Sequence, residues 1–134
     1  MSKSVLYVAN PNAQPVTVGG NFDLGSVIRK FGCSADLSGA NTVNLNDVGY
    51  YDVNVSVTAA PTVAGDVTVT LLNNGAAVPG ATATATVTVA GDSVNLSFES
   101  VIRVFCCANT GALSLVLAGT DATASNVAMV VKKL

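Results

Sequence analysis

Tyr51-Asp52-Val53-Asn54-Val55-Ser56-Val57-Thr58 decides the fold. Tyr51, Val53, Val55 and Val57 fall on one side of an extended chain, and Asp52, Asn54, Ser56 and Thr58 on the other. A period of two marks a half-buried strand, because successive side chains of a strand point to opposite faces. The pattern repeats towards the C-terminus. Residues 66–72 set Val67, Val69 and Leu71 against Thr68 and Thr70, and residues 81–89 read Ala-Thr-Ala-Thr-Ala-Thr-Val-Thr-Val. Val94, Leu96 and Phe98 alternate with Asn95, Ser97 and Glu99, and Leu113, Leu115 and Leu117 share a face. Residues 127–131 close the series. Residues 101–107 are apolar on both sides except for Arg103 and read as a more fully buried segment.

The N-terminal part is looser. Residues 5–9 predict a first strand, 16–18 a short one, 26–33 a strand carrying Arg29 and Lys30, and 42–45 another short one; 34–41 read as loop. Turn residues stand between the strands. Asn73-Asn74-Gly75 supplies the positive φ angles of a tight hairpin. Val78-Pro79-Gly80, Ala90-Gly91-Asp92, Asn109-Thr110-Gly111 and Gly119-Thr120-Asp121 predict further turns. No stretch carries a helical period. The chain reads as one all-β domain over residues 1–134, with 1–15 an N-terminal strand or an anchoring arm. Eight to ten strands are too many for one open sheet of this size, so an antiparallel sandwich of two sheets is expected.

Composition narrows the function. Of 134 residues only 14 are charged and none is His or Trp, although half are apolar. Soluble domains usually carry about 25% charged residues. Two explanations compete, and both can hold: 13 Thr, 12 Asn and 11 Ser form the polar surface, or part of the surface is covered by other copies. A net charge of −2 excludes a strongly basic nucleic-acid binder. The lack of His removes the commonest general base and metal ligand. Gly19-Gly20 has neither the spacing nor the Lys of a phosphate loop. The Asp residues stand mostly beside turns, and around Asp36, Asp47, Asp66 and Asp121 there is no run of closely spaced acidic ligands for calcium. No enzyme, cofactor or metal site is expected. The apolar run of residues 5–9 is too short for a signal peptide or a membrane span, so synthesis in a cytoplasm and no membrane association are expected. Asn54-Val55-Ser56 and Asn95-Leu96-Ser97 then match the glycosylation pattern by chance. Cys33, Cys106 and Cys107 make an odd count, compatible with buried thiols, with a bridge from Cys33, or with thiolates at a symmetry axis.

The order Gly49-Tyr50-Tyr51-Asp52-Val53-Asn54-Val55, Val67 to Gly75, Val78-Pro79-Gly80 and Gly91-Asp92-Ser93-Val94 resembles the trimeric jelly-roll domains related to tumour necrosis factor and the globular head of complement. The resemblance runs from about Val16 to Leu134 and lacks a collagen-like stalk. Within that group Tyr7-Val8-Ala9-Asn10, Val27-Ile28-Arg29-Lys30-Phe31-Gly32-Cys33 and the Val-x-Arg-x-x-Cys-Cys of residues 101–107 look most like small stand-alone virion proteins of tailed bacteriophages and prophages. This implies a non-enzymatic virion protein, a homotrimeric capsid decoration or head-fibre protein. Its partners would be the major capsid protein or another virion protein. The alternative is a module on a fibre or tail tip that binds carbohydrate or a host surface, against which the scarcity of aromatics speaks. The resemblance further implies that residues 50–58, 94–107 and 126–134 meet at a three-fold axis. Tyr50, Phe105, Arg103 and Met129 are the interface candidates, whereas Tyr51 and Phe98 read as intrachain core. Arg29 and Lys30 are the capsid-contact candidates, with Arg29 and Arg103 expected in intersubunit or capsid-facing ion pairs with Asp36, Asp52 or Glu99, or else as solvated surface charges.

Overall fold

Eleven strands and no helix fill the described residues, 4–104 and 111–134, of the computed structural model. In chain order they are β1 (Ser4–Asn10), β2 (Gln14–Val16), β3 (Ser26–Phe31), β4 (Ala35–Ser38), β5 (Thr42–Leu45), β6 (Gly49–Pro61), β7 (Gly65–Asn73), β8 (Ala76–Val87), β9 (Val94–Val104), β10 (Gly111–Gly119) and β11 (Ala122–Lys133). A front sheet has the order β3-β1-β11-β6-β9, with β2 paired to the start of β11. A back sheet has the order β4-β5-β10-β7-β8. Every pairing is antiparallel. The chain crosses between the sheets after β3, β5, β6, β8, β9 and β10, which is the winding of a jelly roll.

The alternation is the cause of the sandwich. One parity of each long strand faces the opposite sheet, and those side chains form a single core: Tyr51, Val53, Val55 and Val57 from β6, Val67, Val69 and Leu71 from β7, Leu113, Leu115 and Leu117 from β10, and Val127, Met129 and Val131 from β11. Leu6 and Val8 of β1 join it, so the N-terminal stretch is woven into the front sheet between β3 and β11. Phe22 and Leu24, which lie between strands, are wholly buried; the amide of Phe22 donates to the carbonyl of Leu115 at 3.0 Å. Tyr51 is the largest buried side chain, and its hydroxyl donates to the carbonyl of Asp47 at 2.7 Å. Burial is the main reason that its phenol is held above its ordinary pKa. The Ser34 hydroxyl donates to the Asp47 carboxylate at 2.6 Å, and the Ser34 amide donates to Ser4 Oγ at 3.2 Å. These bonds fasten β1 and the β3–β4 turn to the start of β6.

Several sequence expectations change. Residues 34–41, expected as loop, contain β4, whose Ala35, Asp36, Leu37 and Ser38 pair with β5 over four register positions. A four-residue strand buried mainly through Ala35 leaves too few apolar positions for periodicity to register. Val78-Pro79-Gly80, expected as a turn, lies inside β8. There Gly80 has φ +81° and the register against β7 shifts between Thr70 and Leu72, so the turn signal marks a bulge in a continuing strand. Residues 101–104 keep the alternation: Ile102 and Val104 are buried, whereas Val101 is 56% exposed. They are not buried on both sides. The Asn74-Gly75 turn is as expected, with φ +55° and +84°.

Candidate functional site

The outward parity of the front sheet makes a face whose composition changes from strand to strand. Register defines its rows. One row runs Ser26, Ala9, Ala128, Ser56, Ser97 across β3, β1, β11, β6 and β9. The next runs Arg29, Tyr7, Val130, Asn54, Glu99, and the third Phe31, Val5, Lys132, Asp52, Val101. At the end of β6, Tyr50 stands opposite Arg103, whose guanidinium carbon lies 5.5 Å from the ring centre. The centre of the face is therefore apolar and half-buried, through Val5, Tyr7, Ala9, Ala128 and Val130; Lys132 of β11 and Asp52 of β6 cross its third row, and Arg29, Glu99 and Arg103 lie on β3 and β9. Asn54, Ser56, Ser97, Ala128 and Val130 line a shallow open depression in it, together with Val55 and Phe98.

Electrostatics divide the face. The Asp52 carboxylate lies within hydrogen-bonding reach of Glu99, and this bond and the repulsion between the two charges hold the Glu99 carboxyl above its ordinary pKa; Lys132 pulls the other way. One oxygen of Asp52 is closed to water and has no hydrogen-bond partner among the described residues. On the far side, the guanidinium of Arg29 donates to the carbonyl of Ile28 at 3.0 Å. β3 is an edge strand on which all six residues are exposed, including Val27, Ile28 and Phe31.

The sequence-based candidates separate on this map. Tyr50 and Arg103 are on the outward face, and Arg29 is on it at the β3 end. Met129 is not: it has the inward parity of β11, is fully buried in the intrachain core, and has no surface to offer a partner. Tyr51 is core, and Phe98 is packed against the core while partly exposed. Lys30 takes the other parity of β3 and pairs with Asp36 of β4 at the side of the sandwich. The hydrogen bond between them raises the Lys30 pKa and lowers that of Asp36. Phe105, Cys106 and Cys107 lie outside the described residues; Cys33 is an exposed free thiol, not a buried one. Among the described residues no three His, Cys, Asp or Glu side chains gather as a metal site needs. Tyr7, Val5 and Val130 are the residues that sequence reasoning missed. The signal was present, since β1 and the end of β11 are apolar on both parities, unlike β6.

The back sheet presents a different outward face. Thr68 and Thr70 of β7 face Thr84 and Thr82 of β8, with hydroxyl contacts of 3.0 and 3.5 Å, and Thr86 donates to Asp66 at 2.7 Å. Its β7 and β8 polar groups pair with each other.

Solved structures share this pair of sheets. Murine APRIL superposes with a TM-score of 0.73 over 99% of this chain and 100% of its own, at 12% sequence identity. The Eiger TNF of S. frugiperda superposes with a TM-score of 0.70 over 98% of this chain and 91% of its own, at 10% identity. The chain has a TNF-like jelly-roll fold. No family model and no curated protein matches the sequence. Identities this low speak to the fold alone.

Proposed function

We propose that this chain is a non-catalytic building block that associates into a homotrimer through the outward face of its front sheet, and that the trimer decorates a bacteriophage particle as a capsid decoration or head-fibre protein. One observation carries the reading: Val5, Tyr7, Ala9, Ala128 and Val130 form an apolar centre on an outward sheet face, in a chain with only 14 charges. Antiparallel sheets normally keep the solvent-facing parity polar, and contiguous apolar surface on a soluble protein marks a contact site. The mechanism is burial. Each copy covers the others' apolar centres, with Tyr50 as an aromatic anchor at one end and Arg103 lying against it. Arg29, exposed at the β3 edge, is better placed than Lys30 to reach a second copy, because Lys30 is already engaged with Asp36.

Particles produced by cells that encode the chain test the virion role. The protein is expected in purified particles by mass spectrometry, and as three-fold knobs on the head in averaged electron micrographs. A protein that stays behind in the cytosol contradicts the virion role. Knobs on the tail tip, with retention on a glycan array, support carbohydrate or host-surface binding instead.

A further inference from the structure

We infer that the front face joins copies of this chain head to tail, with Arg29 of one copy set against Glu99 of the next and Phe31 set against Val101. The inference rests on the self-association proposed above and adds the polarity of the contact and the residues that fix it. It follows from the rows. The row through the apolar centre begins with a cation, Arg29, and ends with a carboxylate, Glu99. The row beside it begins and ends with exposed apolar groups, Phe31 at 66% and Val101 at 56%. Four strand spacings separate the two ends, about 19 Å, so Arg29 and Glu99 of one chain cannot meet.

Each end lacks what the other supplies. Arg29 spends its guanidinium on the carbonyl of its own neighbour, Ile28. Glu99 stands beside Asp52, a like charge, and the cation across from Asp52 is Lys132. Arg103 of the same strand lies over Tyr50. A two-fold axis running across the strands would set β3 against β3, bringing Arg29 to Arg29, and β9 against β9, bringing carboxylates together; one running along the strands would join the same row ends face to face but stop at a dimer, so it is the three-fold state proposed above that makes the contact head to tail. A head-to-tail contact joins cation to carboxylate and apolar to apolar, and repeated around an axis it closes into a ring.

Reversing the charges tests this. Native chain, Arg29→Glu, Glu99→Arg and the double reversal are compared by sedimentation equilibrium, with Lys30→Glu as the control whose side chain takes the other parity. A native β-sheet circular dichroism spectrum and a cooperative melt confirm that each variant folds. Each single reversal is expected to raise the dissociation constant about tenfold or more in dilute buffer, and the double reversal to return it to within about threefold of native. The losses should shrink in about 0.5 M salt, where exposed charges are screened, and Lys30→Glu should leave the constant unchanged. A native trimer that is indifferent to the single reversals overturns the inference but not the self-association. The inference also fails if the double reversal is no better than the singles, or if Lys30→Glu weakens assembly as much as Arg29→Glu. A native dimer overturns the head-to-tail contact whatever the reversals do, and a native chain that is monomeric throughout overturns both.

Discussion

The two outward faces of this sandwich come from the same alternation and differ in what fills it. On the back sheet, Thr68, Thr70, Thr82, Thr84 and Thr86 occupy the outward positions of β7 and β8, and their hydroxyls pair across the strands or with Asp66. Such a face is satisfied when wet: its donors and acceptors have partners, and the methyl groups of Thr lie between them. On the front sheet, Val5, Tyr7, Ala9, Ala128 and Val130 take the equivalent places on β1 and β11, with Lys132 beside them on β11 and Asp52, Glu99 and Arg103 added by β6 and β9. That face leaves apolar area and one shielded carboxylate oxygen unpartnered among the described residues. The Thr-rich β7–β8 side suits water, although the neighbouring β10 also turns Ala112, Val116 and Ala118 outward; on the reading proposed above, the β1–β11 side turns to other copies.

Substitutions can break this contrast, and the largest effect belongs to the core that both sheets share. Met129→Ala should cost about 2–5 kcal/mol of folding stability, because it opens a cavity beneath the front sheet. Urea denaturation measures it, and a cost under about 1 kcal/mol, against about 2 or more expected for a buried Met, would put Met129 outside the core. Its neighbour Val130, of opposite parity, should behave otherwise. Val130→Glu places an unpaired charge in the apolar centre. It should weaken association about a hundredfold or more, because an uncompensated charge that loses its water costs several kcal/mol. Thr84→Glu on the back face should leave the oligomeric state unchanged in the same sedimentation run. Equal losses from the two would erase the distinction between the faces.

Smaller effects sharpen it. Thr84→Val removes the 3.0 Å contact with Thr68 but keeps a β-branched side chain on an exposed strand. It should change stability by less than about 1 kcal/mol in thermal melts. The smallest effect is one of pH. The Glu99 carboxyl is held above its ordinary value of 4.5 by Asp52. The folded chain therefore binds that proton more tightly than the unfolded chain. The destabilising contribution is absent below the unfolded value and grows as pH rises through the folded one. Glu99→Gln should flatten the fall in melting temperature of the dissociated chain above pH 4.5. An unchanged pH profile would show that the two carboxylates do not sense each other.

Much of this was legible in the sequence, for a physical reason. Val53, Val55 and Val57 announce β6 because each inward position is apolar and each outward one polar, and burial rewards that pattern alone. The Asn74-Gly75 hairpin was legible because few residues accept its backbone angles. β4 was not, since its four residues gain their pairing from β5 and carry little pattern of their own. Pro79-Gly80 spoke for a turn because local sequence cannot show that β7 runs alongside to hold a bulge in register. At the surface, Tyr50 was legible by parity and Arg103 as the lone charge in an apolar segment, whereas Met129 was assigned by size alone, and its parity puts it inside. Glu99 is one of the three carboxylates that the sequence alone offers as partners for Arg29; choosing among them depends on five strands in register, information that no single segment holds.

The oligomeric state of the native chain tests the central claim most directly. Sedimentation equilibrium at micromolar concentration should return three times the 13.4 kDa chain mass. A species at the single-chain mass across that range would contradict the account, because the apolar centre of the front sheet would then face water with nothing to cover it.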